Sequence, residues 1–173
     1  MHTDFYPFPS LSTNRLLLRE LQLTDDVAIQ ALRSNADVNT YLERPAAIDL
    51  AAARQFITST NNRFANAEGL YWVITTPSSS QLMGTICLWN YQPADGSVEI
   101  GYELMPKYQR QGFMQEAIAA VITFAFTRIQ ANVIKAEVDV SNQPSIKALQ
   151  KHGFTEIPHQ RLHEILHFEL RNK

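Results

Sequence analysis

The chain has 173 residues, of which 45% are hydrophobic and 18% are charged, and its formal net charge is -2. This length and composition predict one domain with a sizeable core and exclude a chain that is disordered over long stretches. Because the charges nearly balance and no Lys/Arg cluster occurs, the sequence also argues against nucleic acid as a partner.

The first half of the chain alternates strand and helix patterns. Residues 1–12 are predicted to form an N-terminal extension, and residues 13–172 a single domain. The predicted elements are a strand over 15–21, a helix that begins at Thr24-Asp25-Asp26, a helix over 49–64, and two strands over 70–76 and 82–89. Branched and aromatic residues favour the strands, and apolar residues three or four apart favour the helices. A turn at 77–80 makes the last two strands a hairpin.

The second half of the chain is predicted to contain a third strand of the same meander, which also begins a strand–helix–strand unit. The elements are a strand over 97–105, a long helix over 115–129, a strand over 133–140, a short helix over 145–151 that stops at Gly153, and a final strand over about 162–170. A strand, a helix and a strand in succession favour a parallel crossover. The pattern predicts an α/β (α+β) fold: a mixed, mostly antiparallel twisted sheet of about seven strands, with helices on both faces.

The loop before the long helix carries the clearest chemical pattern, Gln109-Arg110-Gln111-Gly112-Phe113-Met114. Backbone amides that lead into a helix N-terminus can hold phosphate oxygens. The hexapeptide resembles the Gln/Arg-x-x-Gly-x-Gly/Ala signature with which the GNAT superfamily of N-acetyltransferases binds acyl-coenzyme A, although Met114 replaces the small final residue. Taken alone, the loop is equally well interpreted as an ordinary strand-to-helix turn.

Two further regions carry the same resemblance. Residues 142–154 are similar to the family segment Asn-x-x-Ser-x-x-x-x-Glu-Lys-x-Gly-Phe, with Gln150 in place of the glutamate. Two stretches resemble the ribosomal-protein N-terminal acetyltransferase branch. One is the opening Thr13-Asn14-Arg15-Leu16-Leu17-Leu18-Arg19 together with residues 24–26, and the other is the strand Glu99-Ile100-Gly101-Tyr102. The resemblance covers about 13–170 and implies a sheet that is split at its central parallel strands.

This resemblance also implies acetyl-coenzyme A as co-substrate and no metal. The implied cofactor-binding residues are Leu104, Met105, Gln109, Arg110, Gln111, Gly112, Phe113, Met114, Asn142 and Ser145. Main-chain amides from about Arg110 to Gln115 would wrap the pyrophosphate, and Asn142 would bond the pantetheine arm. A main-chain amide near Leu104 and Met105 would polarise the thioester carbonyl.

Glu99, Glu103 and Ser145 are the predicted catalytic residues. The two glutamates lie four apart on one strand and share a face, so either could take a proton from an amine, and Glu99 is preferred. A solvated carboxylate on the outer face of a sheet is the competing interpretation of Glu99. The resemblance puts Ser145 near the thioester sulfur, where its hydroxyl would give the leaving thiolate modest help. By local sequence alone, Ser145 is a helix-start residue and Asn142 a turn or cap residue.

The predicted reaction moves an acetyl group directly to a primary amine, because no activated nucleophile is evident. The branch resemblance implies a protein or peptide N-terminal α-amine as the acceptor. Such an amine has a pKa of about 7.7–8.0, so it needs less help from a base than a lysine does. A small amine or antibiotic is the alternative acceptor, and a non-catalytic acyl-coenzyme A binding or sensing domain is the alternative from another class.

Other chemistry-bearing residues have structural interpretations. Three histidines near the C-terminus recur every four residues and would share one face of a strand; they are His159, His163 and His167. The sequence identifies no thiol or carboxylate that would complete a metal site with them. Three aromatic residues could line an acceptor pocket, but core positions are favoured; they are Trp72, Trp89 and Tyr91.

The termini and the single cysteine predict the compartment. The first residues lack a basic and apolar leader, and no run of about 18 apolar residues occurs, so a cytoplasmic protein without a membrane partner is expected. Cys87 cannot form an internal disulfide and is expected in a strand core, which fits a reducing compartment. The sequence is compatible with a monomer or a homodimer.

Overall fold

The structure is a computed structural model that describes residues 5–158 and 164–172. Within these ranges eight strands and five α-helices occur. The strands are β1 (Leu11–Ser12), β2 (Leu17–Glu20), β3 (Gly69–Thr76), β4 (Ser79–Gln92), β5 (Ser97–Leu104), β6 (Val133–Asp139), β7 (Thr155–Glu156) and β8 (Ile165–Arg171). The helices are α1 (Asp26–Arg33), α2 (Ala36–Asn39), α3 (Leu50–Ala65), α4 (Phe113–Phe124) and α5 (Gln143–Lys151).

All eight strands form one sheet in the order β1-β2-β3-β4-β5-β6-β8-β7. Only β5 and β6 are parallel, and α4 connects them, so the predicted mixed sheet and parallel crossover are confirmed. The sheet has eight strands where about seven were expected, and the two that no predicted strand range covers, β1 and β7, have two residues each. Two residues are too few to show a period of two, so a sequence pattern cannot reveal such strands.

The sheet splits between β5 and β6, as the resemblance implies. The two strands pair only at Ser97 with Val133, Val98 with Ile134, and Glu99 with Lys135. Farther along, β5 continues to Leu104 without a partner on its β6 side. The splayed strands open a gap at the end of β5 that leads into the predicted phosphate-binding loop.

The two faces of the sheet carry separate cores. The larger core contains the buried side of α4, the apolar residues of α5 and Trp72. The smaller core packs α1 and α3 against the other face, around Ile29, Leu32 and Ile57. The predicted N-terminal extension packs on the larger core, since Phe8 contacts Trp72 edge-on and the carbonyl oxygen of Pro9 accepts a hydrogen bond from Trp72 Nε1 at 2.7 Å.

Several helices depart from the sequence prediction, and α5, for example, begins at Gln143 instead of 145. The long helix begins at Phe113 instead of 115, because Gly112 is its N-cap, and its last predicted residues form a π-helical turn over Ala125–Ile129. The prediction did not include α2, which has only four residues and starts at a local cap: the Asn35 side chain accepts a hydrogen bond from Val38 N.

Among the described residues, no helix combines the length and apolar character that a bilayer crossing requires.

Candidate active site

A cleft of about 390 Å³ opens where β5 and β6 diverge. Its walls come from the end of β5, the loop before α4, the start of α5, and the segment that follows α1. The lining residues are Asp37, Val38, Tyr41, Leu42, Tyr102, Glu103, Leu104, Tyr108, Gln109, Arg110, Gly112, Phe113, Met114, Gln115, Asn142, Pro144, Ser145 and Ala148. The structure therefore brings most of the predicted cofactor-binding residues together with Glu103 and Ser145 in one place.

The loop between β5 and α4 has the backbone of an anion-binding turn. Arg110 has a φ of 59°, and Gly112 has a φ of 80° and forms the N-cap of α4. Left-handed residues next to helical ones create a concave row of amides, and the first turn of a helix adds further free amides. The Gln109 side chain fixes the loop to β5, because its Nε2 donates to the Leu104 carbonyl at 2.9 Å. A non-glycine residue such as Arg110 at positive φ is strained, which is common at functional loops.

Leu104 and Met105 differ in what their amides can do. Met105 N donates to the Met83 carbonyl at 2.9 Å, so it belongs to the ladder with β4. Antiparallel ladders alternate, so the neighbouring N–H of Leu104 points away from β4 and toward the gap. Of the two amides expected to polarise a thioester carbonyl, only that of Leu104 faces the cleft.

The Ser145 hydroxyl lies within hydrogen-bond distance of the Tyr102 phenol. Its Oγ is 2.8 Å from Tyr102 Oη, and its backbone N–H donates to Asn142 Oδ1 at 3.2 Å. Asn142 is therefore the N-cap of α5, as its local sequence predicts. Burial raises the pKa of Tyr102 to about 12, although the bond to Ser145 opposes the shift, so the phenol stays neutral near pH 7.

Sequence reasoning assigned Tyr102 no role. The available signal was the alternation along β5, which places Tyr102 on the same face as Ile100 and Leu104. The motif that resembles the ribosomal-protein branch also ends at this tyrosine. Neither observation predicts a hydrogen bond to a helix more than forty residues away.

Glu103 lies in the cleft and pairs with Arg44, from the segment that follows α2. Arg44 Nη2 is 2.5 Å from Glu103 Oε2, and the two side chains are only 11% and 14% exposed. Arg44 Nε also donates to Asn39 Oδ1 at 2.6 Å, which fixes the guanidinium. Arg33 belongs to the same cluster: burial lowers its pKa, the charge of Arg44 lowers it further, and Glu103 opposes both.

Glu99, the preferred base in the sequence prediction, lies away from the residues that line the cleft. It is opposite Trp89 on β4 and Lys135 on β6, where the two parallel strands are still paired. Its Oε1 accepts a hydrogen bond from Asn90 Nδ2 at 2.6 Å. Its catalytic role stays a prediction, and the geometry favours Glu103 as the glutamate nearer to the loop.

The remaining candidate residues have structural surroundings. Trp72 is fully buried in the core, and Trp89 and Tyr91 are not among the cleft residues, so none of the three lines this cleft. Burial raises the pKa of the Cys87 thiol to about 12, so it is protonated near neutral pH. His159 and His163 lie outside the described residues. In the described part of the chain, no group of His, Cys, Asp and Glu is arranged to hold a metal ion.

A carboxylate and an arginine brace the loop from the side opposite the cleft. Glu116, in the first turn of α4, accepts hydrogen bonds from Thr13 Oγ1 at 2.5 Å, from Arg15 N at 2.8 Å and from Arg15 Nε at 2.7 Å. Burial alone would raise the pKa of Glu116, but these bonds outweigh it and lower the pKa. Thr13, Arg15 and Glu116 are called the rear clamp below.

The lowered pKa of Glu116 predicts how stability depends on pH. A carboxyl whose pKa is lower in the folded state stabilises the protein above its unfolded pKa, here about 4.3, and loses that contribution as the pH falls through the folded pKa. The Tm difference between wild type and Glu116→Gln is therefore expected to be full above about pH 5 and to shrink below about pH 4. Thermal melts from pH 7 to pH 3 measure it, and a constant difference would contradict the prediction.

A larger and more open depression, of about 650 Å³, lies between β1 and the outer face of α4. Its lining includes Thr13 and Glu116 but none of the predicted catalytic or cofactor-binding residues. The smaller cleft is the stronger candidate, because the anion-binding turn, the free strand amide and the paired hydroxyls all meet there.

Comparison with known proteins agrees with this geometry. The acetyltransferase (GNAT) domain family matches residues 15–155, which include the loop, Glu103 and Ser145. The chain belongs to the GNAT family of N-acetyltransferases. The GNAT domain is 34% identical to the uncharacterized N-acetyltransferase YoaA of Bacillus subtilis (strain 168), over 85% of this chain and 83% of that protein. It is 30% identical to the uncharacterized N-acetyltransferase p20 of Bacillus licheniformis, over 84% and 82% of the two chains.

Solved structures with the same fold include acetyltransferases named for different biological roles. RimL, a ribosomal L7/L12 alpha-N-protein acetyltransferase in complex with coenzyme A, has a TM-score of 0.83 at 17% identity and covers 94% of this chain and 98% of that one. The microcin C7 self-immunity acetyltransferase MccE, in complex with acetyl-CoA and AMP, has a TM-score of 0.80 at 17% identity, over 92% and 94% of the two chains. At this identity the likeness shows the fold alone.

Proposed function

We propose that this GNAT domain transfers the acetyl group of acetyl-coenzyme A directly to a primary amine, and that the amine is the N-terminal α-amine of a protein or peptide. The observation that carries the proposal is the single cleft in which the anion-binding turn, the Leu104 amide and the hydroxyls of Tyr102 and Ser145 converge. These groups match the three parts of a thioester donor: its phosphates, its carbonyl and its sulfur.

The donor end of the cleft supplies binding and polarisation. Amides of the loop and the N-terminus of α4 hold the pyrophosphate, where the helix dipole favours negative charge. The Leu104 N–H donates to the thioester oxygen as negative charge develops on it. When the C–S bond breaks, the thiolate accepts a hydrogen bond and then a proton from the Ser145 hydroxyl. Tyr102, which orients this hydroxyl, returns a proton to Ser145 and is itself reprotonated from solvent, so both hydroxyls end the step neutral.

The acceptor nitrogen must lose a proton, either before or after it bonds to the acetyl carbon. Glu103, the carboxylate that lines the cleft from β5, can accept it directly or through a water, but Arg44 engages one of its two oxygens. An amine that is already partly neutral asks least of such a group. A free α-amine has about a tenth of its population neutral at pH 7, whereas a lysine has almost none. This difference supports an α-amine as the acceptor.

The acceptor end also has the polarity that a peptide N-terminus needs. Asp37 lines it with Tyr41 and Leu42, so a carboxylate that attracts an ammonium group lies beside apolar and aromatic side chains. The name of RimL, whose fold this domain shares, also refers to a protein α-amine. The alternative is a small amine or antibiotic, and the fold is also shared by the microcin C7 self-immunity acetyltransferase MccE.

Two measurements test the donor and the acceptor separately. Acetyl-coenzyme A at about 100 times its Kd is expected to stabilise the folded protein by about 2.7 kcal/mol, which thermal melts with and without the ligand detect. Mass spectrometry of a mixture of peptides and small amines, incubated with enzyme and acetyl-coenzyme A, then identifies the acceptor. Acetylated peptide N-termini are the expected products.

The other outcomes identify which part of the proposal is wrong. Modification of small amines alone contradicts the peptide acceptor. A clear thermal shift without any acetylated product supports a domain that binds acyl-coenzyme A without transferring the acyl group. No shift with acetyl-coenzyme A or coenzyme A contradicts the donor, and product formation that follows ping-pong kinetics contradicts direct transfer.

A further inference from the structure

We infer that Arg15 is a positioning residue for the phosphate-binding loop, and that it acts through the peptide bond between Gln111 and Gly112. This inference rests on the proposed use of acetyl-coenzyme A. Arg15 lies two residues before β2 and is remote from the loop in sequence, yet its guanidinium lies directly behind the loop. Nη1 donates to the Gln111 carbonyl oxygen at 3.0 Å, and the guanidinium carbon lies 4.6 Å from the ring centroid of Phe113.

The rear clamp fixes the guanidinium. Nε of Arg15 bonds one carboxylate oxygen of Glu116, while the backbone N–H of Arg15 and the hydroxyl of Thr13 bond the other. Because Glu116 lies in the first turn of α4, this arrangement joins the start of the domain to the helix that follows the loop. The Arg15 side chain is 43% exposed, so the ion pair alone adds little stability, as is usual for surface pairs. Any larger effect of Arg15 must come from the groups that its guanidinium orients.

Because the peptide bond is planar, the hydrogen bond from Arg15 to the Gln111 carbonyl also determines where the Gly112 N–H points. A trans peptide is planar, and its C=O and N–H point opposite ways. Since the Gln111 carbonyl points back toward Arg15, the N–H of Gly112 points away from the clamp, toward the ligand side of the loop. The backbone of Gly112 favours glycine, because its φ is 80°, and a Cβ atom there would lie 3.3 Å from Arg15 Nη2 at the end of a flexible side chain. Arg15 thus determines the orientation of an amide that would bind a phosphate oxygen.

A purely structural role for Arg15 makes a different prediction. If the residue only stabilised the domain, its loss would lower the Tm and leave the affinity for the donor unchanged. If it positions the Gly112 amide, its loss weakens donors that carry the pyrophosphate and spares donors that lack it. S-acetylpantetheine is such a donor, because it keeps the thioester and the pantetheine arm without any phosphate.

The test compares Arg15→Gln, Arg15→Lys and the matched control Arg19→Gln. Arg19 belongs to the same sequence motif and also pairs with a carboxylate, since its Nη1 and Nη2 bond the two oxygens of Asp25. None of its hydrogen bonds goes to the loop or to α4. We expect Arg15→Gln to raise the Kd and the KM for acetyl-coenzyme A about tenfold, the effect of losing one charged hydrogen bond, with kcat little changed. We expect kcat/KM for S-acetylpantetheine to stay at the wild-type value.

Arg15→Lys separates orientation from charge. Lysine keeps the positive charge, but it cannot bond Glu116 and the Gln111 carbonyl with the planar fork of arginine. We expect it to weaken acetyl-coenzyme A nearly as much as Arg15→Gln does. We expect Arg19→Gln to lower the Tm without changing the Kd, which titration calorimetry measures independently of any acceptor.

Four results would overturn the inference. They are an unchanged Kd in both Arg15 variants, an equal loss with S-acetylpantetheine, an equal loss in Arg19→Gln, and full rescue by lysine. If wild-type protein fails to bind acetyl-coenzyme A, the proposed function fails and the inference fails with it. If the wild type binds and the Arg15 variants bind equally well, only the inference fails.

Discussion

Ser145→Ala is expected to lower kcat about 100-fold with little change in the KM for acetyl-coenzyme A, because removing a group that donates a proton in the transition state costs about 10²-fold or more. The effect belongs at the low end of that range, since a thiol with a pKa near 8.5 is already a good leaving group. The hydroxyl lost is the one 2.8 Å from Tyr102 Oη. Steady-state kinetics with the identified acceptor measure the change.

Two comparisons show whether proton donation is the cause. Ser141→Ala removes a nearby serine hydroxyl that bonds Asp139 and does not line the cleft, and kcat is expected to stay unchanged. Tyr102→Phe keeps the serine but removes its orienting partner, so an intermediate loss is expected. A donor thioester with a more acidic thiol should reduce the difference between wild type and Ser145→Ala. If the difference persists with that donor, Ser145 does not assist the leaving group.

Arg44→Met is expected to destabilise the protein by about 3 kcal/mol, because it leaves the largely buried carboxylate of Glu103 without its partner. At this chain length the change corresponds to a Tm lower by about 6–12 °C. The positive charge of Arg33, which belongs to the same cluster, still interacts with Glu103 in this variant. The loss of stability is therefore expected to stay below the largest values found when a buried charge loses its partner. Thermal or denaturant unfolding measures the effect.

A second substitution identifies the stranded charge as the cause. Arg44→Met combined with Glu103→Gln leaves no carboxylate to be stranded, so the double variant is expected to recover much of the lost stability. Arg171→Ala serves as the control, because its pair with Glu169 is exposed and should add little. Additive losses in the double variant would contradict the account. The double variant also reports on catalysis, since it removes the carboxylate proposed to accept the amine proton.

The fold was predictable from sequence where local patterns are long. The alternation at 133–140 and the apolar spacing along α4 identify the strand–helix–strand unit, and chain connectivity then favours the parallel pair β5–β6. Short elements were not predictable, because α2 has four residues and β7 has two. Their existence depends on neighbours: a cap from Asn35 in one, and pairing with β8 in the other.

The donor side of the site was predictable for a similar reason. Loop, glycine and helix start follow one another in sequence, so the contact between Gln109 and the end of β5 spans only five residues. The prediction could not separate the amides of Leu104 and Met105, because that choice depends on the register with β4. One residue of register decides which amide faces the gap.

The acceptor side and the rear clamp both depend on contacts that no local pattern encodes. Arg44 and Glu103 are 59 residues apart, and Arg15 and Glu116 are 101 apart. The preference for Glu99 over Glu103 came from one strand considered alone. In the sheet, Glu99 lies where β5 and β6 are still paired, whereas Glu103 lies beyond their separation.

The early separation of β5 from β6 gives the protein a strand edge in the middle of its own sheet. Edge strands normally attract other chains, and proteins protect them because free N–H and C=O groups invite strand addition. Here the free edge faces a narrow cleft, so a folded partner cannot reach it, but a thin extended molecule with amide groups can. Pantetheine is such a molecule. If acetyl-coenzyme A is the donor, as proposed, its pantetheine amides have a free strand edge to which they can add.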